Sequence, residues 1–322
     1  MDLAEKLRGE KVLVTGGAGF VGSNIVKRLL DLQADVTVLD DFSTGREDNL
    51  PSAHRNMEVV RGDVTNYKLI RDLAAQARYV CHCAARNIIA STRNPREDFE
   101  VNMGGTLNLL LAMRELGGKH MVNTSSCSVY GNPRYLPINE DDTVNVLSPY
   151  SVSKLAGENY CKAFYETYGV SAAVVRYSNV YGVGQRVENP YCGVVAKFFD
   201  SATSGKSPQI HGDGEQTRDF TYVDDAVEAT LVVLCSPKSE GQVYNVATGR
   251  EMTVNELARL IIRLVGTNVE PVHIDHRDID NIRRRALNIE KIRRELRWTP
   301  SVTVEEGLKK THAWIVSRGG NT

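Results

Sequence analysis

The sequence predicts a doubly wound α/β fold, a parallel sheet covered by helices on both faces, followed by a smaller mixed α/β lobe. Short apolar runs recur at 11–15, 36–39, 59–63, 79–83, 121–124 and 172–177. Helical spacing separates several of them: at 20–32, where Val21, Ile25, Val26, Leu29 and Leu30 share one side, near 97–117, and near 149–168. The first run ends in glycines that open the first helix. Continuous apolar strands between amphipathic helices suit a sheet buried on both faces.

After about Asn179 the rhythm changes. Short extended pieces at 209–211, 220–223, 242–246 and 269–274 mix with helices near 190–204, 224–236, 253–265 and 304–318. This predicts a dinucleotide-binding domain over 1–178 and a substrate lobe over 179–322, interleaved, with some segments returning to the first domain. No repeat or low-complexity tract interrupts the chain.

Composition narrows the function. With 42% hydrophobic and 25% charged residues in 322, the chain holds enough apolar material for a large core and is no disordered segment. Lys+Arg 39 against Asp+Glu 40 leaves a net charge of -1, which gives no bulk attraction to nucleic acid or anionic membrane. No apolar run approaches the roughly 20 residues of a membrane helix. The opening MDLAEKLRGEKVLV lacks a signal peptide's apolar stretch. Six cysteines, Cys81, Cys83, Cys127, Cys161, Cys192 and Cys235, are scattered without CxxC pairs, and no HExxH appears, so neither a metal site nor a disulfide scaffold is expected. A cytoplasmic setting follows as the expectation.

Gly16, Gly19 and Gly22 stand as G-x-x-G-x-x-G between the first strand and the first helix. Glycine suits a tight turn whose backbone must approach a pyrophosphate, and the helix N-terminus adds partial positive charge. Asp40 (or Asp41) ends the next strand at the right distance to bond an adenosine ribose. This is the Rossmann pattern. No basic residue adjoins that acid in sequence, which favours NAD over NADP. Asp63, after a later strand, either reaches the adenine or caps a helix.

Tyr150 and Lys154 lie one helical turn apart. A phenol is a poor base near its usual pKa of about 10, and a neighbouring ammonium favours phenolate. The pair therefore suits moving a proton from a sugar hydroxyl while hydride leaves the same carbon. Lys154 also suits holding a nicotinamide ribose. Ser126, at the carboxyl end of the 121–125 strand, is placed to hydrogen-bond the reacting oxygen and share its proton with Tyr150. The plain alternatives are a surface helix pair and a serine-rich turn.

Taken in order, TGGAGFVG at 15–22, DDFSTG at 40–45, GDV at 62–64, HCAA at 82–85, VNMGGT at 101–106, TSSCSVYG at 124–131, SPYSVSK at 148–154, RYSNVYG at 176–182, GDGEQTRDFTYVDD at 212–225 and YNVATG at 244–249 resemble the extended short-chain dehydrogenase/reductases acting on nucleotide-sugars, and most closely the UDP-glucose 4-epimerases. The resemblance implies NAD as cofactor, held by Gly16, Gly19, Phe20, Val21, Gly22, Asp40, Asp41, Ser43, Gly45, Asp63, Val64, Ala84, Ala85, Thr124, Lys154 and Tyr177. It implies Tyr150 as base, Ser126 as its partner, and Asn179, Arg218 and Arg277 on the substrate diphosphate. Two arginines suit a pyrophosphate held bidentately; the alternative for each is a structural ion pair.

Family members open with hydride transfer from C4 of the sugar, giving a 4-keto sugar. In 4,6-dehydratases an Asp-Glu pair follows the position of Ser126, and decarboxylating relatives carry Glu at that of Ser128; here Cys127 and Ser128 stand there. The resemblance therefore implies C4 epimerisation of a UDP-hexose. Extra arginines at Arg86 and Arg283–Arg285 keep UDP-glucuronate open, and DFEVNMGGTLNLL resembles the CDP-sugar 2-epimerases. Rival classes are a nucleotide-sugar dehydratase, a reductase using external cofactor and a non-catalytic NAD-binding scaffold; no G-x-S-x-G elbow supports a hydrolase. Apolar positions on 104–116 and 152–165 exceed one sheet contact, and family members pair these helices, so a homodimer is expected.

Overall fold

A computed structural model describes residues 2–187, 193–276 and 282–319. Seven parallel strands form the main sheet: β1 (Lys11–Thr15), β2 (Asp35–Asp40), β3 (Met57–Arg61), β4 (Tyr79–His82), β5 (His120–Ser126), β6 (Ser171–Tyr177) and a late strand, Val243–Val246. Their spatial order is late strand, β6, β5, β4, β1, β2, β3. Val12 pairs with Val36 on one side and Tyr79 on the other. The strand order reverses between β1 and β4, and in open α/β sheets a ligand crevice lies there, beyond the strands' carboxyl ends.

Helices cover both faces. After α1 (Leu3–Leu7) come α2 (Phe20–Asp31), α3 (Tyr67–Gln76), α4 (Ile88–Arg93), α5 (Pro95–Asp98), α6 (Gly105–Leu116) and α7 (Pro149–Tyr168). Ile25, Val26 and Leu29 of α2 join one apolar layer with Val12, Val14 and Val38; Ile70, Leu109, Leu110, Cys161 and Phe164 of α3, α6 and α7 build the other with Leu13, Val80 and Met121. Burying a Leu or Val side chain contributes about 1.5–3 kcal/mol, so the alternating inward residues of each strand serve both layers.

The expected single helix at 97–117 is instead α5, a π-helical stretch at Phe99–Gly104, and α6. The short helices α3 and α4 were not anticipated. Beyond β6 lie β7 (Asn179–Tyr181), α8 (Val194–Thr203), β8 (Gln209–His211), β9 (Thr217–Arg218), β10 (Phe220–Tyr222), α9 (Val223–Cys235), β11 (Val243–Val246, the late strand), β12 (Met252–Thr253), α10 (Val254–Val265), β13 (Val272–Ile274), α11 (Glu290–Leu296) and α12 (Val304–Gly319). β7 pairs with β10, and β8 with β13.

Two devices fix the helix that matters most. Ser148 caps α7 by accepting the Ser151 N–H at 3.2 Å, Ser151 Oγ accepts the Ser148 N–H at 3.0 Å, and Pro149 takes the first helical position. Tyr150 therefore sits in the first turn, above the carboxyl end of β5.

Candidate active site

A cleft of about 280 Å³ opens at the sheet's switch point. Gly16, Gly19, Phe20, Val21, Gly22, Asp40, Asp41, Ser43, Asp63, Val64, Ala84, Ala85, Thr124, Tyr150, Lys154 and Tyr177, sixteen of the positions singled out above, line it. Gly45 does not; it packs beneath, where a Cβ would come 2.7 Å from Asp40 Oδ1. Ser126 is also outside the lining and reaches the cleft through its hydrogen bond to the Tyr150 phenol. Asn179 and Arg218 line a second cavity, and Arg277 lies outside the described residues.

The glycine turn is dictated by close backbone approach. Gly16 has φ +67°, and a Cβ there would stand 2.6 Å from the Ala84 nitrogen. A Cβ on Gly22 would stand 2.1 Å from the Gly16 carbonyl oxygen. No side chain caps the start of α2, which follows Gly19 directly. A cradle that only glycine fits, an uncapped helix end and a carboxylate at the end of β2 form the donor set of a dinucleotide, so the residues present fit NAD.

Asp40 is 7% exposed, and its two oxygens accept the N–H groups of Ala18 (2.9 Å) and Phe42 (2.8 Å). Burial raises its pKa against those bonds. Asp63 accepts the Thr65 N–H at 2.8 Å while also lining the cleft, so it both holds a turn and faces the ligand space.

Tyr150, Lys154 and Glu158 succeed one another along α7 and meet three consecutive residues of β5. The phenol hydrogen-bonds Ser126, the Lys154 ammonium donates to the Thr124 carbonyl at 2.8 Å, and Ser125 bonds the Glu158 carboxylate. Arg176 of β6 closes the stack on Glu158 at 2.6 Å, both side chains buried. A spacing of four repeats on one helix face, so a single face carries all three contacts. The sequence did not flag Glu158 or Arg176; the Tyr150, Lys154, Glu158 spacing was the available signal.

One expectation is corrected here. Burial pushes the Tyr150 phenol up to about 12, its Ser126 bond lowering it only in part. Lys154 Nζ stands 5.9 Å from the ring centroid and is spent on Thr124; burial pushes it down to about 8. The protein alone thus does not make the phenol acidic, because desolvation outweighs the Ser126 bond and the ammonium is directed at Thr124 instead.

The arginines sort themselves as well. Arg283 pairs with Asp213 at 2.7 Å and Arg284 with Glu251, both partly exposed, while Arg285 is 2% exposed. The run is therefore not one solvated stripe. Arg86 reaches Asp41 at 2.8 Å, so a basic residue does adjoin the acid that follows β2, supplied from beyond β4. Cys127 is 3% exposed in an apolar cluster with Val129, Tyr130 and Leu287: it packs. The second cavity, about 310 Å³, adds Lys197, His211 and His276 to Asn179, Arg218 and Arg283. Sequence reading missed the first three, which come from separate segments. The Asn179 side-chain oxygen is buried with no hydrogen-bond partner among the described residues. Among the described residues no His, Cys, Asp and Glu cluster suits a metal, and no helix is long and apolar enough to cross a membrane.

An open α/β sheet whose switch point carries a glycine cradle, a strand-end acid and a Ser–Tyr–Lys set defines an NAD-dependent enzyme of the short-chain dehydrogenase/reductase type. Residues 12–247 match the NAD dependent epimerase/dehydratase family, and the chain belongs to that family. It is 39% identical over 306 residues to UDP-glucose 4-epimerase of Mycolicibacterium smegmatis, covering 94% of this chain and 97% of that one. The UDP-glucose 4-epimerase structure of Thermotoga maritima with UDP-glucose superposes with TM-score 0.90 at 35% identity, covering 96% and 99%. A UDP-N-acetyl-alpha-D-glucosaminuronate decarboxylase of Bacillus cytotoxicus is 31% identical over 318 residues, covering 95% and 98%.

Proposed function

We propose that the chain epimerises a nucleotide-sugar at C4, with a UDP-hexose (UDP-glucose/UDP-galactose or the N-acetyl analogues) as substrate. One observation carries this choice within the family: beside the Ser126–Tyr150 pair stand Cys127, buried among apolar side chains, and Ser128, whose N–H bonds Ser126 at 3.1 Å. Neither is a carboxyl group able to expel water from the sugar or assist loss of a carboxylate. What is left is the minimal set for oxidising a carbinol and reducing it from the other face.

NAD in the cleft supplies a reversible hydride acceptor. Tyr150 accepts the C4 hydroxyl proton and returns it. Burial holds the Tyr150 phenol up at about 12, so it would need the positive charge that a bound, oxidised nicotinamide would bring to serve as base in the working range. Ser126 orients the reacting oxygen. Lys154, anchored on Thr124, holds the ribose side of the cleft. Asn179 and Arg218, with Lys197 and His276, take the diphosphate end in the second cavity; Arg277 follows His276 directly in sequence. A neutral hexose suits the arginines, since Arg86, Arg283 and Arg284 already face carboxylates of the protein.

Pairing of two copies along α6 and α7 is part of this reading, supported by Val152 and Tyr168, large apolar side chains of α7 that are half exposed. Light scattering should give a dimer at micromolar concentration; a monomer would refute it.

Purified protein should interconvert UDP-glucose and UDP-galactose without added cofactor. UDP-N-acetylglucosamine, UDP-glucuronate and CDP-tyvelose form the comparison panel. Failure to turn over any UDP-sugar overturns the proposal, and conversion of CDP-tyvelose alone would move the reaction to C2.

A further inference from the structure

Arg86 stands in the cofactor cleft with each nitrogen of its guanidinium donating a hydrogen bond. Its backbone is pinned first: the N–H donates to Asn102 Oδ1 at 2.7 Å, and the carbonyl accepts Asn102 Nδ2 at 3.1 Å. Asn102 belongs to the π-helical stretch before α6, which turns that amide back toward the end of β4. From this base the side chain, 14% exposed, crosses to the loop after β2. Nη2 donates to Asp41 Oδ2 at 2.8 Å, Nη1 to Ser43 Oγ at 2.8 Å, and Nε to Glu97 Oε1 at 2.6 Å. Asp41 is itself held by Ser43, whose N–H and hydroxyl donate to Oδ1 at 2.9 and 2.7 Å.

The place matters. In this fold the acid ending the second strand meets the 2′-hydroxyl of the adenosine ribose, and a nearby arginine is the usual receptor for the 2′-phosphate of NADP. A guanidinium suits that phosphate because it binds bidentately. Arg86 lines the same wall as Asp40, Asp41, Ser43 and Thr44. Each of its three nitrogens, however, already donates to a carboxylate or a hydroxyl, and Asp41 sets a second negative charge beside Asp40.

We propose that Arg86 is a masked 2′-phosphate receptor, and that Asp41 and Glu97 set the preference for NAD over NADP by holding it. Discrimination then rests on a repulsive, pre-paired arrangement rather than on the lack of a cation. This rests on the NAD-binding reading of the cleft and deepens it.

The test reads the nucleotide directly. Purified protein is equilibrated with equal concentrations of NAD and NADP, desalted and denatured with acid, and the released dinucleotides are separated by chromatography. The wild type should release NAD. Asp41→Asn keeps an oxygen for the Ser43 N–H while removing the charge, and should raise the NADP-to-NAD ratio about tenfold. Glu97→Gln, outside the strand-end loop, should shift it in the same direction and serves if the Asp41 variant folds poorly. Adding Arg86→Ala to either variant should return the ratio to the wild-type value. Variants that release NAD at the wild-type ratio overturn this proposal alone. A gain in NADP that survives Arg86→Ala also overturns it, because the receptor is then elsewhere. A wild type that releases neither dinucleotide overturns the NAD-binding reading, and this inference with it.

Discussion

The cofactor cleft and the cavity lined by Asn179 and Arg218 are built by different rules. The cofactor cleft is made largely of backbone: a glycine turn, a helix start and the ends of β1, β2, β4 and β5. The second cavity is made of side chains from well-separated pieces, with Ile88 and Ile89 from α4, Asn179 from β7, Lys197 and Phe198 from α8, and His211, Arg218, His276 and Arg283 from β8 onward. Backbone sites tolerate almost no change in residue type where the chain approaches itself. Side-chain sites spread recognition over contacts that are individually replaceable. The first kind should fail all at once under mutation, and the second should weaken by degrees.

The largest expected effect is in the cofactor cleft, at Tyr150. Tyr150→Phe keeps the ring and loses the oxygen that Ser126 bonds. Turnover should fall about 10³-fold, as for loss of a general acid–base group, while thermal unfolding and retained NAD stay as in the wild type. An active Tyr150→Phe enzyme would remove the phenol from the mechanism. Next, Gly22→Ala drives a Cβ to 2.1 Å from the Gly16 carbonyl. Backbone must move, so the variant should lose about 2–4 kcal/mol of stability and release no NAD on denaturation. Retention of NAD would mean that the turn is not the cradle.

The second cavity should respond more gently. Lys197 is exposed on α8 and lines it. Lys197→Ala should raise KM for a UDP-sugar about tenfold with kcat nearly unchanged, the signature of lost ground-state binding. A fall in kcat at constant KM would place Lys197 with the chemistry and erase the contrast between the cavities.

That contrast also explains what was legible in the sequence. Gly16, Gly19 and Gly22, Asp40, and Tyr150 with Lys154 carry fixed spacings because one turn, one strand end and one helix face impose them. Arg86 meeting Asp41 joins residues 45 apart, so reading only the neighbours of Asp40 in sequence missed the cation. The π-helical stretch at Phe99–Gly104 escaped for a related reason: apolar periodicity runs through it nearly undisturbed, and its purpose shows only in the contacts of Asn102 with Arg86 and Ser153. Lys197, His211 and His276 have no common spacing at all. They become one site only after β8 pairs with β13 and brings His211 near His276.

The smallest effect on stability lies at Lys154, where the cleft and the fold's stability pull in opposite directions. Lys154 is 7% exposed and its ammonium is bonded to Thr124, yet burial holds its pKa at about 8 against 10.5 for a free lysine. Below pH 8 both folded and unfolded chains carry the proton, and the folded one bears a desolvation cost of about 3 kcal/mol from that difference. Between pH 8 and 10.5 the folded chain releases the proton first while the unfolded chain still binds it. This group's contribution to stability therefore rises with pH across that window. Lys154→Met removes the buried charge and forfeits the Thr124 bond, worth about 1.5–3 kcal/mol for a charged donor. At pH 7 the variant should be more stable by about 1 kcal/mol, though without turnover. Urea unfolding at pH 7, 9 and 10 should show that advantage shrinking as the pH rises. A gap that stays constant would mean the lysine is not held against its own desolvation, and that its position costs the fold nothing.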